Sequence, residues 1–238
     1  MKTPLPTKVR AYLAAVSLAS GFAALALWRA NPGGADLPLF LMLTSIGCLA
    51  HAYPIQGFKH QAYQVTLPFI VLASAMFSAV ELVAFIALIH IVEQIRLRRR
   101  LYIQWFNTCD YLASAAVAAL IFHGIVGLLP DGALGRLTAA LAAACTFILL
   151  NRLLLAAALW LARALSPRAS GLFQPDLLAA ELVIGWIGGP MLIVAMAAGS
   201  WTLLVTAGPL LLARPALSAL LGRHQPSEPS SRAQAPAA

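Results

Sequence analysis

The sequence predicts an all-α fold: a polytopic transmembrane helical bundle of about eight spans, including two short hairpins at 66–95 and 177–213. Three observations lead there. Hydrophobic residues make up 61% of the 238-residue chain and charged ones only 10%, with a mean hydropathy of +0.84. A water-soluble domain carries about 25% charged residues, so this chain lacks the surface chemistry to face water on all sides. The apolar residues form runs near the ~20 residues that cross a ~30 Å hydrocarbon core, and Lys and Arg collect in the short segments between them, where such residues record membrane orientation.

The first span is predicted at 11–28, behind Lys2, Lys8 and Arg10. That layout is shared with secretory signals, but the run is long for a cleaved one and further spans follow, so it reads as a retained first helix. Asn31-Pro32-Gly33-Gly34 forms a turn before the second span at 37–55. The run from Thr66 to Ile95 would measure about 45 Å as one helix at ~1.5 Å per residue. As one span it would also place Lys59 and the arginines at 96–100 on opposite faces, against the positive-inside rule. A hairpin with legs of about 14 residues brings them to one face and puts Glu81 at its tip, although each leg is shorter than a usual span.

The fifth and sixth spans are predicted at 110–129 and 137–162, joined by Pro130-Asp131-Gly132. Leu177 to Ala213 would run about 55 Å unbroken. Gly188-Gly189-Pro190 interrupts it, since proline removes a backbone donor and glycine loosens the helix, and it reads as two short spans folded back on each other. Residues 1–214 thus form the transmembrane domain. The segment 215–238, rich in Pro, Ser and Ala with no apolar period, is expected to be a disordered cytoplasmic tail.

Eight crossings place both termini in the cytoplasm. Of the sixteen Lys and Arg, Arg29 and Arg136 then fall outside and Arg152 within a helix, which leaves thirteen inside. The expected location is the cell inner (plasma) membrane, multi-pass, with the lipid bilayer as the first partner. The net charge of +8 would also suit a polyanion, but its confinement to loops between spans argues against nucleic acid. The basic stretch RLRRRLYIQWFN reads as an interfacial cytoplasmic connector: Arg96, Arg98, Arg99 and Arg100 toward anionic headgroups, Tyr102, Trp105 and Phe106 in the aromatic belt.

Polar residues inside spans are where function is sought, because a charge at a helix centre costs about 2.5–3.5 kcal/mol on insertion. His90 and Glu93 are three apart on one helical face, either a proton-linked pair or a solvated pair at the cytoplasmic end. Asn107 and Asp110 are expected to open the fifth span, with Asp110 capping it. Asn151 and Arg152 lie mid-span, the first to bond a neighbouring helix and the second in need of an acid or a cavity. Glu181 answers by charge, although a place in the first turn of its own helix is the simpler account. Asn107, Asn151, Arg152 and Glu181 are therefore the candidate polar pocket or helix-contact set.

His123 is expected to be hydrogen-bonded rather than a ligand. Cys48, Cys109 and Cys145 show no metal or disulfide spacing and read as small buried residues. No HExxH, GxSxG or GxxxxGK[ST] occurs, so no enzyme, catalytic residue, cofactor or metal is expected. Ala113, Ala116 and Ala119, Ala139 to Ala144, and Gly185, Gly188 and Gly189 permit close helix approach and a compact bundle.

From Val65 to Leu165 the order of features is an apolar hairpin, an arginine-rich connector, Phe106-Asn107, an Ala-rich span, and a long helix with a central Leu150-Asn151. It resembles the membrane-associated sensor (MASE-like) multi-span regions found ahead of GGDEF diguanylate cyclase and HD-type phosphohydrolase domains in bacteria. The resemblance implies that Asn107 and Asn151 match that family's recurrent asparagines, at helix contacts or in a ligand pocket. Two departures stand out: no output domain occurs within this sequence, and Glu81 stands where a small, Gly or Pro turn residue is expected.

Two functions follow as expectations. The first is a stand-alone sensor-like module that binds a small-molecule ligand or reports membrane state and signals to a cytoplasmic partner. The second is a small-molecule transporter component, a substrate-binding subunit working with an energising partner, because a Gly-Gly-Pro interruption also marks broken-helix binding sites.

Overall fold

The computed structural model describes residues 5–31, 33–53, 55–56, 62–63 and 65–212; the tail expected at 215–238 lies outside them. Nine helices occur among the described residues: α1 (Thr7–Ala30), α2 (Leu37–Ala52), α3 (Leu67–Met76), α4 (Ala79–Leu97), α5 (Leu101–Leu128), α6 (Ala133–Arg163), α7 (Pro175–Trp186), α8 (Gly188–Ala198) and α9 (Thr202–Leu212). Between α2 and α3, β1 (Ile55–Gln56) and β2 (Ala62–Tyr63) pair antiparallel, Ile55 opposite Tyr63. Among the described residues four helical stretches are long and apolar enough to cross a membrane: Thr7–Ala30, Leu101–Leu128, Ala133–Arg163 and Pro175–Ala198; α2 and α3 are apolar but shorter.

Side-chain bonds between helices define two ends of the bundle. At one, Trp105 donates to Ser17 Oγ (2.8 Å) and Tyr12 to the Leu154 carbonyl (2.8 Å), joining the starts of α1 and α5 to the later part of α6. At the other, Asn31 Nδ2 meets His123 Nε2 (2.9 Å), so α1 and α5 run parallel. Lys8, Arg10, Arg96, Arg98, Arg99, Arg100 and Arg163 lie toward the first, which we call the basic end; Arg29 and Arg136 lie toward the other.

The segment 66–95 reverses direction. Thr66 and Glu93 both meet His51 at the end of α2, whereas Glu81 meets Ala35 just before α2 begins. The reversal falls at Phe77 and Ser78, so the legs are unequal rather than two of similar length, and α3 and α4 splay to contact other helices more than each other. A capping box makes the break. Ser78 Oγ accepts from the Glu81 N–H (3.3 Å), and Glu81 Oε2 accepts from the Ser78 N–H (2.7 Å), satisfying donors that the first helical turn leaves free. The same carboxylate accepts from the Ala35 N–H (3.1 Å), so the tip residue that looked out of place is a staple between two helix starts. Ser78→Ala should lower stability by about 1 kcal/mol, read as a lower thermal midpoint in detergent. An unchanged midpoint would show that the cap contributes nothing.

The second predicted hairpin is corrected. Gly188-Gly189-Pro190 does not turn the chain: Ile187 has helical dihedrals, and α8 continues from α7 to Ala198. Pro190 stands within the first turn of α8, where a missing N–H does least harm. Gly188 serves close approach instead, since a Cβ there would lie 2.9 Å from the Pro68 carbonyl oxygen and 3.1 Å from Val71 Cβ on α3. The direction changes at Gly199, whose φ of +94° suits glycine, before α9 begins.

The fifth helix is also corrected. It begins at Leu101, not near Asp110, because α4 stops at Arg98, the left-handed residue (φ 47°) whose N–H bonds the Gln94 carbonyl. The core is built on small residues: Ala113, Ala116 and Ala119 of α5 and Ala139, Ala140, Ala143 and Ala144 of α6 are buried, in keeping with the extensive packing of these two helices.

Candidate functional site

Among the described residues the largest polar constellation sits inside the basic end. On α4, His90 and Glu93 are three residues apart and so share a face. The last turn of α2 adds His51, the first turns of α5 add Gln104, and Thr66 stands at the start of α3. All five are buried. Glu93 Oε2 is the hub, at 3.2 Å from His90 Nδ1, 3.4 Å from His51 Nε2 and 3.1 Å from Gln104 Nε2. Gln104 also donates to the His90 carbonyl (2.8 Å), and His51 Nδ1 is 3.2 Å from Thr66 Oγ1. On the outer side Arg99, 39% exposed, reaches Glu93 Oε1 at 3.1 Å. Beneath, the Tyr111 ring packs edge-on against both imidazoles, 5.4 Å from His51 and 4.7 Å from His90, and its other side meets Phe147.

The network is incomplete. His90 Nε2 and Gln104 Oε1 are buried without a hydrogen-bond partner, and His51 Nε2 is near Glu93 but not aligned to bond it. Buried polar atoms are normally satisfied, and those that are not often mark an ion, a water or a functional role. His51, His90 and Glu93 offer three ligand atoms within 4.8 Å of one another. The constellation can therefore hold a proton or a cation between two imidazoles and a carboxylate.

A second polar layer lies deeper, and it separates the predicted set. Asn151 Nδ2 donates to Asp110 Oδ2 (3.1 Å), and Ser114 Oγ lies 3.4 Å from Asp110 Oδ1. Asp110 is thus a buried helix-to-helix contact, not a cap; nine residues past the start of α5, it is beyond the free N–H groups. Arg152 pairs with Glu181 through one edge of its guanidinium, Nε donating to Oε2 at 3.0 Å and Nη2 to Oε1. Glu181 lies past the first turn of α7, which starts at Pro175, so the ion pair and not the helix dipole accounts for it. Asn107 is half-buried on α5 and joins neither pair. Asn151 and Arg152 with Glu181 thus make helix contacts, each through its own partner, and Asn107 shares neither.

No protein-family model, curated protein or solved structure matches this chain.

The predicted connector is mostly helix. Only Arg98 to Arg100 lie between α4 and α5; Tyr102, Trp105 and Asn107 belong to α5 because the left-handed Arg98 ends α4 early enough for a new helix to start at Leu101. Its residues have specific contacts: Arg96 stacks 4.0 Å above the Tyr53 ring, Arg100 reaches the Tyr102 hydroxyl (3.4 Å), and Arg99 caps Glu93. His90 and Glu93 are not solvated, because α2, α3 and α5 cover them.

An open cleft of about 530 Å³ at the opposite end is lined by Asp36, Phe122, His123, Arg136 and Met196, but there His123 is bonded to Asn31 and Arg136 to Met196 Sδ. Sequence reasoning missed His51, Thr66, Gln104 and Tyr111. The available signal was depth: alternating crossings put His51, His90 and Glu93 at the same predicted inner end.

Proposed function

We propose that this chain is a multi-pass protein of a bacterial inner membrane, eight crossings with both termini cytoplasmic, that works as a sensor-like module. The carrying observation is the Glu93–Arg99 bond, which ties a buried polar cluster to the three-residue basic junction between α4 and α5. A ligand, or a change in the bilayer that alters the cluster, would free or hold Arg99 and so move the charged surface that a cytoplasmic signalling partner would meet. The gathering of basic side chains at that end supports its cytoplasmic placement. The likeness to membrane-associated sensor regions supports the role.

The transporter-component reading drew on a helix interruption and on a polar pocket. The helix runs through Gly188-Gly189-Pro190, and Asn151 and Arg152 bond separate partners, Asp110 and Glu181. The sensor reading keeps the better support.

Two measurements test it. Reporter fusions following residue 212 should be active in the cytoplasm and silent outside; the reverse would remove the orientation. With the protein in lipid nanodiscs, a spin label at position 98 should become more mobile in Glu93→Gln than in wild type, because Arg99 loses its anchor. Equal mobility in the two would remove the coupling and with it the sensor reading.

A further inference from the structure

We infer that His51, His90 and Glu93 form a binding site for a divalent first-row transition metal, with zinc the best fit, and that Arg99 and the metal compete for Glu93. The inference rests on the sensor reading only for its consequence, a junction released by metal; the binding itself stands alone.

The ligand chemistry is specific. Two imidazoles and one carboxylate are the donor set of open zinc sites, which leave a fourth position to water or another ligand, and also of three-ligand iron sites. Spacing agrees. A tetrahedron built on the ~2.0–2.1 Å bonds that zinc makes to imidazole and carboxylate has edges of about 3.3 Å. Glu93 Oε2 stands 3.2 Å from His90 Nδ1 and 3.4 Å from His51 Nε2, and all three ligand atoms lie within 4.8 Å of one another, so two edges match a metal's and the third needs the imidazoles to close on it.

The surroundings are those of a supported site. Metal-bound imidazoles are usually held through their second nitrogen by a protein hydrogen bond, which fixes the ring and its tautomer. His51 Nδ1 has Thr66 Oγ1 in that place. The Tyr111 ring holds both imidazoles from below, limiting the volume the ligands explore. His51 Nε2, buried and without a hydrogen bond, is aimed into the site. On loading, Gln104 keeps its 2.8 Å bond to the His90 carbonyl and releases its longer contacts with the two ligand atoms, 3.1 Å to Glu93 Oε2 and 3.2 Å to His90 Nδ1.

Arg99 gives the site its control. A guanidinium 3.1 Å from Glu93 Oε1 repels an incoming cation, yet Arg99 is the exposed member of the group and can swing away. The path from the basic end to the carboxylate opens when it does. Metal takes Oε2 while Arg99 holds Oε1, so the two compete through charge: a dication beside the guanidinium weakens the Arg99 bond and loosens the α4–α5 junction.

The test uses the full chain in detergent, stripped with a chelator and titrated with Co²⁺ and then Zn²⁺. Expected are one metal per chain after gel filtration, intense visible Co²⁺ bands of a four-coordinate site, and their loss on adding Zn²⁺. His51→Gln and His90→Gln should each abolish the bands. Thr66→Val should weaken binding about 10–100-fold, and Arg99→Gln should tighten it. Absence of cobalt bands in the folded wild type, or a folded His90→Gln that binds as wild type does, means a hydrogen-bonded cluster only and overturns the site. Weaker binding in Arg99→Gln overturns the competition. If His90→Gln does not fold, the wild-type titration and Thr66→Val decide. Metal that binds while the label at position 98 stays unchanged sustains the site and sinks the sensor reading.

Discussion

Arg152→Leu is expected to lower stability by about 3–5 kcal/mol, measured by unfolding of the purified protein in mixed detergent. Arg152 and Glu181 are both buried, and the guanidinium meets both carboxylate oxygens. Their mutual attraction offsets a desolvation penalty of several kcal/mol per ion. Removing the arginine alone leaves Glu181 charged, buried and unpaired, which is why the single substitution costs more than the pair is worth. The double change Arg152→Leu with Glu181→Leu should recover most of the loss, since well-packed apolar residues often replace a buried ion pair without penalty. A single-variant loss below about 1 kcal/mol, the range of exposed pairs, would mean that water reaches this position. Asn151→Leu, one residue away, acts through a different partner, Asp110, but the two positions are neighbours in one buried polar layer, so the double variant should depart from the sum of the single effects.

Gly188→Val should cost about 1–3 kcal/mol by overpacking. The new side chain would meet the Pro68 carbonyl, a backbone atom that cannot rotate away, as well as Val71. Gly21→Ala is the matched control: it lies inside α1 with nothing within 4 Å, so the added methyl should be neutral or stabilising by up to about 1 kcal/mol. Comparable thermal midpoints for Gly188→Val and wild type would refute the tight α3–α8 contact.

The candidate site shows how much of this chain is legible in one dimension. Asn151 and Arg152 stand out in any hydropathy reading, because polar groups in an apolar run cost free energy and must find partners. Charge alone named Glu181 as a candidate partner for Arg152, while the helix dipole stood as its simpler account. It was not enough to pair Asn151 with Asp110, because the start of α5 was read nine residues late. The hydropathy of Leu101 to Thr108 is broken by Gln104 and Asn107, and helix boundaries depend on dihedrals such as the left-handed Arg98 that composition does not record. That one displacement turned Asp110 into a cap and left Gln104 inside the interfacial connector.

By itself the sequence determined the helical class, three of the four stretches long enough to cross a bilayer (the fourth, Pro175–Ala198, it broke at Gly188), the segregation of cations, and the need for a reversal within 66–95. Each follows from local physics: the backbone must satisfy its hydrogen bonds within the segment, and apolar runs have lengths that can be counted. Only the tertiary structure decided that Gly188 packs rather than turns, that the reversal falls at Ser78, and that His51 joins His90 and Glu93. Those depend on which helix faces meet, and α2 and α4 bring together residues 42 positions apart in the chain (93 less 51), a separation at which no periodic pattern in either helix specifies the partner.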